Sequence, residues 1–242
     1  MDFIQRKGGF NQMRRFPPVP FAGNPFYQLM PSLNQPHSLV YPKSVASFEP
    51  SYSQHHSCMC ITKAYLDLNN LMRTLWEQHV AWTRMLIISI AAGLPDEELV
   101  TKRLLRNAVD MANVMKSFYG DAIASTFEAL FRDHFIFAAQ LVKAAKADDN
   151  RAAVETEKNW YENANEIAAF LQRVNPYWSE EAFRAMLHEH LALTKTEAVN
   201  RLTGYFAVDI ATFDKVKRQA LEMADAFTMG IVRQFPNYFI CE

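Results

Sequence analysis

Residues 73–87 read RTLWEQHVAWTRMLI, and the pattern returns twice without a gap, as EALFRDHFIFAAQLV at 128–142 and RAMLHEHLALTKTEA at 184–198. The matched histidines His79, His134 and His190 stand 55 and 56 residues apart. Self-similarity at a long fixed interval is the mark of a supersecondary unit that buries its apolar face against its own copies. Within each copy the apolar residues recur at helical spacing, so the unit is helical. A second set aligns behind the first: RNAVDMANVMKSFYG at 106–120, ENANEIAAFLQRVNP at 162–176 and LEMADAFTMGIVRQF at 221–235. Its matched columns include Asn107, Asn163 and Glu222, then Asp110, Glu166 and Asp225. The prediction is an all-α protein of six helices. They form three repeated antiparallel hairpins, about 61–120, 121–176 and 179–236, with a ferritin-like or hemerythrin-like general appearance.

The punctuation agrees with that period. Gly93-Leu94-Pro95-Asp96 ends one helix and caps the next, Gly120 ends the second, and Asp148-Asp149-Asn150 separates the third from the fourth. Asn175-Pro176 ends the fourth, Ser179-Glu180-Glu181 opens the fifth, Gly204 and Asp209 mark the last break, and Pro236 closes the sixth. No stretch alternates with period two for long enough to make a sheet.

Residues 1–60 differ from residues 61–242. They hold eight of the 11 prolines and nine aromatics, which reads as an extended or disordered leader. The alternative is that Phe21, Phe26, Tyr27 and Tyr41 anchor the leader on the bundle, on a second copy in a homo-oligomer, or on a protein partner. Over the whole chain 25 basic residues meet 26 acidic ones, so no dominant field points to nucleic acid. Cys58, Cys60 and Cys241 make a poor disulfide framework, which favours a reducing, cytoplasmic setting, with a spore-associated one as the alternative. The apolar run Met85–Pro95 is half of the roughly 20 residues a membrane span needs, so no transmembrane segment is expected.

Turning each residue by 100° along its helix gives its direction. His134 falls among Phe127, Leu130, Phe131, Ala138, Leu141 and Ala145; His79 among Leu68, Met72, Leu75, Leu86 and Ile90; His190 among Phe183, Met186 and Leu187. All three point inward. Asp110, Glu166 and Asp225 fall on the opposite, solvated side, whereas Asn107, Asn163 and Glu222 lie on the flank, within reach of the histidines. The last copy adds a polar line, His190, Thr194, Glu197 and Arg201, and Thr83 follows His79 in the first. Glu197 and Arg201 are spaced to pair. Three neutral imidazoles beside a carboxylate suit zinc, iron or manganese. The predicted ligands are therefore His79, His134, His190 and Glu197, supported by Thr83, Thr194 and Arg201. The alternative is three separate structural histidines, each hydrogen-bonded across its own hairpin, for instance to Glu222. His55-His56-Ser57-Cys58-Met59-Cys60 gathers soft donors at no recognised zinc spacing. Trp76, Trp82, Trp160 and Trp178 read as core or hairpin contacts. The only adjacent glycines are Gly8-Gly9, so there is no phosphate-cradling loop, and no catalytic set is legible.

From residue 71 onward the strings LMRTLWEQHVAWTRMLIIS, LPDEELVTKRLLRNAVDMANV, KNWYENANEIAAFLQRVNPYWSEE and MLHEHLALTKTEAV resemble a family of uncharacterised all-helical proteins of spore-forming Firmicutes. Members often carry the label acetylglutamate kinase, which the resemblance therefore implies as a further alternative. An enzyme of that kind has an α/β fold with glycine-rich phosphate loops. The expectation is a bundle that binds a metal or small ligand through its inward histidines. The alternative is a structural or interaction protein of cell or spore assembly that uses the leader.

Overall fold

A computed structural model describes residues 61–240. Every regular element among them is helical: α1 Lys63–Ala92, α2 Glu97–Lys146, α3 Asn150–Val174, α4 Glu180–Leu202, α5 Phe206–Gln234, and a closing 3-10 turn, Pro236–Tyr238. None of these helices is long and apolar enough to cross a membrane. The leader, the His55–Cys60 cluster and Cys241 lie outside the described residues.

Local chemistry sets most of the ends. The Thr62 hydroxyl accepts from Tyr65 N–H to cap α1, Asp149 accepts from Ala152 N–H to cap α3, and Ser179 accepts from Ala182 N–H to cap α4. Gly93 closes α1 in the left-handed region (φ 65°), and the Gly93 and Leu94 N–H groups return to Ile90 and Ser89 carbonyls. Asp96, read from sequence as a cap, makes no cap bond; its carboxylate accepts instead from the Ser89 hydroxyl at 2.8 Å. Asp209, read as a break, is buried in the first turn of α5.

Among the described residues five helices form where six are expected, because helical hydrogen bonding runs on through Gly120. A straight helix of 50 residues would span about 75 Å. Yet Lys143 near its end is ion-paired with Glu97 at its start, at 2.7 Å. The helix therefore doubles back, and the reversal is taken by Gly120 at φ 79°, ψ 178°. Nothing lies within 4 Å of where its Cβ would be, so backbone conformation, not crowding, calls for glycine.

The helices close into a ring in which α1 packs on both α2 and α5, α3 on α2 and α4, and α4 on α5; the α3–α4 seam is the thinnest between chain neighbours. Aromatic side chains fill the middle. Phe127 stacks on Phe131 at 4.1 Å between centroids, Trp76 meets Phe227 at 4.7 Å, and Trp178 meets Phe227 at 5.1 Å. Trp76, Trp160 and Trp178 are buried, and Trp82 lies partly buried beneath the Arg103 guanidinium.

Candidate functional site

The three histidines enter the core from three parallel rods: α1, the second arm of α2, and α4. His79 is 8% exposed, His134 3% and His190 5%. The His79 and His190 rings stand 5.6 Å apart between centroids, and His79 also stacks on Phe135 at 4.4 Å. His134 packs against Trp160 at 5.6 Å.

Two of the three rings, His134 and His190, face a side-chain amide on the outer helix of their own hairpin. His134 Nδ1 lies 2.8 Å from Asn163 Oδ1, and His190 Nδ1 lies 2.8 Å from Gln219 Oε1. The amide orientations follow from their other bonds: Asn163 Nδ2 donates to the Leu130 carbonyl and Gln219 Nε2 to the Met186 carbonyl. Each amide oxygen must therefore accept, so Nδ1 of each ring carries the hydrogen and Nε2 keeps its lone pair. In the first hairpin Asn107 Nδ2 likewise donates to the Leu75 carbonyl, but His79 Nδ1 and Asn107 Oδ1 remain buried and unpaired. The spacing differs there too: Asn107 follows its carbonyl by 32 residues, whereas Asn163 and Gln219 follow theirs by 33.

Gln219 replaces the sequence-predicted partner. Glu222 is exposed, one turn further along α5. The gap-free alignment slid by three residues, nearly a full helical turn, and so kept the apolar stripe in place while misassigning the polar column. Asp225, placed on the solvated side, is half exposed and ties α5 to α1 through Arg73 and Asn69.

Glu197 and Arg201 do not pair as their spacing suggests. Arg84 of α1 reaches across instead, donating to Glu197 Oε1 at 2.6 Å and to both Asp209 oxygens at 2.7 and 3.2 Å. Arg201 contacts Asp209 at 3.4 Å. Both carboxylates are buried to 1% side-chain exposure. Burial pushes the Glu197 carboxyl up to about 7, against the opposing pull of Arg84. Glu197 lies two turns beyond His190, about 10 Å along the axis, and its oxygen is taken up by arginine, not imidazole. Arg84 and Asp209 escaped sequence reasoning, although each is an isolated charge in an apolar run, WTRMLII and FAVDIATF.

Burial holds all three imidazoles below their ordinary value of 6.5, His134 at about 3, and for His79 the neighbouring His190 and His134 add to the effect. An unfolded chain thus takes up protons below about pH 6.5 that the folded chain refuses. Stability is full above that pH and falls as pH drops, by up to about 1.4 kcal/mol per unit for each histidine. Glu197 acts oppositely, because its folded value lies above the ordinary 4.5 and the folded state gains its proton first. Three suppressed imidazoles outweigh one raised carboxyl, so the net effect is a loss of stability as pH falls below about 6.5. Urea unfolding at about pH 7.5 and 5.5 should show this loss; equal midpoints would show that the rings are not buried neutral.

Among the described residues no group of three His, Cys, Asp or Glu side chains is placed to hold a metal ion as it stands. Taken together, fold and site define an all-helical bundle with a neutral imidazole cluster in its core and a buried ion network two turns away. No protein-family model, no curated protein and no solved structure matches the chain.

Proposed function

We propose that the bundle binds a single metal ion at the imidazole cluster, with His79 and His190 as the first pair of ligands and His134 as the third. The observation that carries this reading is the tethering of Nδ1 in two of the three rings, His134 and His190. An imidazole whose Nδ1–H is held by an amide oxygen presents its Nε2 lone pair in a fixed direction, which is how protein metal ligands are oriented. The 5.6 Å between the His79 and His190 rings is comparable with the separation, on the order of 5 Å, of two imidazoles on one tetrahedral ion with bonds of about 2 Å. Size argues for an ion over an organic ligand. The internal cavity next to the cluster offers only about 20 Å³, little more than the 10–15 Å³ or so that one water requires.

We read the architecture as a triplicated hairpin, reminiscent of ferritin-like bundles in outline. In the register set by Asn107, Asn163 and Gln219, the next columns are Ala108, Ala164 and Ala220, then Ala112, Ala168 and Ala224, all buried. The sequence has neither Glu-x-x-His nor His-x-x-x-Glu, so the site proposed is mononuclear and histidine-based.

Protein purified without a metal-affinity tag should contain, or take up on titration, one zinc, iron or manganese ion per chain. His79→Ala and His190→Ala should each abolish uptake while the helical circular dichroism persists. Absence of both metal content and binding heat in the wild type would sink the proposal. In that case the competing reading gains, in which the His134–Asn163 and His190–Gln219 bonds pin each hairpin and the histidines are structural. The described glycines 93, 120, 204 and 230 are all single, which gives acetylglutamate kinase activity no phosphate cradle to rest on.

A further inference from the structure

Between α1 and the first arm of α2 the bundle surface carries a groove of about 670 Å³. Leu68, Leu75 and Val114 form its floor and are buried, whereas Leu71 on its wall is 46% exposed. Two carboxylates line it and both are engaged, Asp67 with Lys63 and Asp110 with Arg106.

Arg103, on the same wall, is placed differently. Its guanidinium lies 4.9 Å over the Trp82 ring, and Nη2 donates to Gln78 Oε1 at 3.2 Å, so the cation is held in position. Nη1 is nevertheless buried without a partner, and among the described residues no carboxylate pairs with Arg103. A buried donor left unmet forfeits its hydration, and a guanidinium fork matches the two oxygens of a carboxylate. The groove therefore suits an extended segment that brings one acid to Arg103 and an apolar ring to Leu71.

This chain carries such a segment close by. Residues 1–60 lead into α1, and the groove begins in the second turn of that helix, at Asp67. They contain two acidic residues, Asp2 and Glu49, and Glu49 stands in Phe48-Glu49-Pro50-Ser51-Tyr52. Proline favours the extended left-handed helix that docks in apolar grooves. Its rise of about 3.1 Å per residue puts Tyr52 and Glu49 about 9 Å apart. Along α1, Leu71 and Gln78, the partner of Arg103, are separated by about 10 Å. A strand antiparallel to α1 with Tyr52 at Leu71 thus brings Glu49 to Arg103. The connection reaches: 12 residues from Glu49 to Ile61 can span about 40 Å, and Gln78 lies only about 22 Å along the helix from Lys63. Asp2 is 59 residues from Ile61, a loop about five times longer whose closure is roughly tenfold less favourable.

We propose that residues 48–52 of this chain dock in the α1–α2 groove, with Glu49 accepting from Arg103 and Tyr52 covering Leu71. The inference is independent of the metal reading.

The test uses the full chain with Cys58→Ser, Cys60→Ser and Cys241→Ser, into which pairs of cysteines are introduced and oxidised in a glutathione buffer. Ser53→Cys with Asn113→Cys, which lines the groove, should form a disulfide within one chain at least tenfold faster than Ser53→Cys with Leu66→Cys. Leu66 is nearer to residue 61 but sits about 140° round α1 from Leu71, so a segment without a docking site would favour it. Arg103→Glu and Glu49→Arg should each slow the groove disulfide about fivefold, the worth of one hydrogen bond, and together restore it. Circular dichroism checks that each variant is folded. Glu49→Gln leaves the bundle untouched and decides alone should Arg103→Glu not fold. Equal or faster reaction at Leu66, or a groove rate that Glu49→Gln leaves unchanged, overturns the proposal. So does a disulfide formed between two chains, which would assign the groove to a second copy.

Discussion

Arg84→Met should destabilise the protein by about 3–5 kcal/mol at neutral pH, the usual consequence of leaving a buried charge without its partner. Glu197 and Asp209 are both withdrawn from solvent, and Arg84 is the group that bonds to both. Asp209 would keep Arg201 at 3.4 Å, so Glu197 is the carboxylate left exposed to the full penalty. Burial already holds Glu197 at about 7 with Arg84 in place, and removing the arginine drives it higher. A carboxyl whose folded value is raised contributes stability below its unfolded value, near 4.5, and loses it as pH rises through the folded value. The deficit of Arg84→Met should accordingly shrink as pH is lowered. Adding Glu197→Gln in that background should recover part of the loss at neutral pH. Arg84→Lys should fall between, since one ammonium cannot reproduce a fork that bonds two carboxylates. Urea unfolding at two pH values measures all of this; a loss for Arg84→Met below about 1 kcal/mol would mean that the pair is hydrated after all.

Gly230→Ala should also be strongly destabilising, with a sign opposite to the one helix propensity gives. Within a helix alanine is favoured over glycine by about 1 kcal/mol. Here the added Cβ would lie 1.9 Å from Trp178 Nε1 and 2.3 Å from its Cδ1. The indole cannot step aside: it is 1% exposed, donates to the Phe227 carbonyl at 3.3 Å, and is walled by Tyr119, Phe183 and Phe227. Overpacking of this kind costs about 1–3 kcal/mol and occasionally more, so a net loss near 3 kcal/mol is expected. Trp178→Ala alone should cost about 3–5 kcal/mol through the cavity it leaves. In that background Gly230→Ala should become neutral or stabilising. A double-mutant cycle reads this coupling directly, and additive losses would refute the lock-and-notch arrangement.

Gly230 also shows where sequence reading stops. Nothing in FTMGIVRQ distinguishes a glycine that admits an indole from the linker side of the bundle from one tolerated by chance. Helix positions, the inward direction of His79, His134 and His190, and the caps at Gly93 and Ser179 were legible, because they depend on residues within a turn or two of one another. The polar partners were not. Whether Asn107 aligns with Gln219 or Glu222 is a choice between positions three apart on one helix, and apolar periodicity hardly separates them. Arg84 pairs with residues 113 and 125 positions away, a distance at which spacing rules say nothing and only the packing of α1 against α4 and α5 decides. The unpaired hydroxyls of Thr83 and Thr194 were visible as residue types, but not as part of the wall of the internal cavity.

The reversal at Gly120 restricts how the chain can vary in length. The turns at 93–96, 147–149 and 203–205 join rods through segments in which an added residue can loop out without disturbing the next helix. The fold-back inside α2 has no such segment, since its two arms meet at one glycine. A residue inserted between Asp121 and His134 would be absorbed as helix and would rotate the rest of that arm by about 100°, carrying His134 off the shared axis. The distance in sequence from hinge to histidine is thus itself a structural quantity. Insertions and deletions should be borne by the turns at 93–96, 147–149 and 203–205.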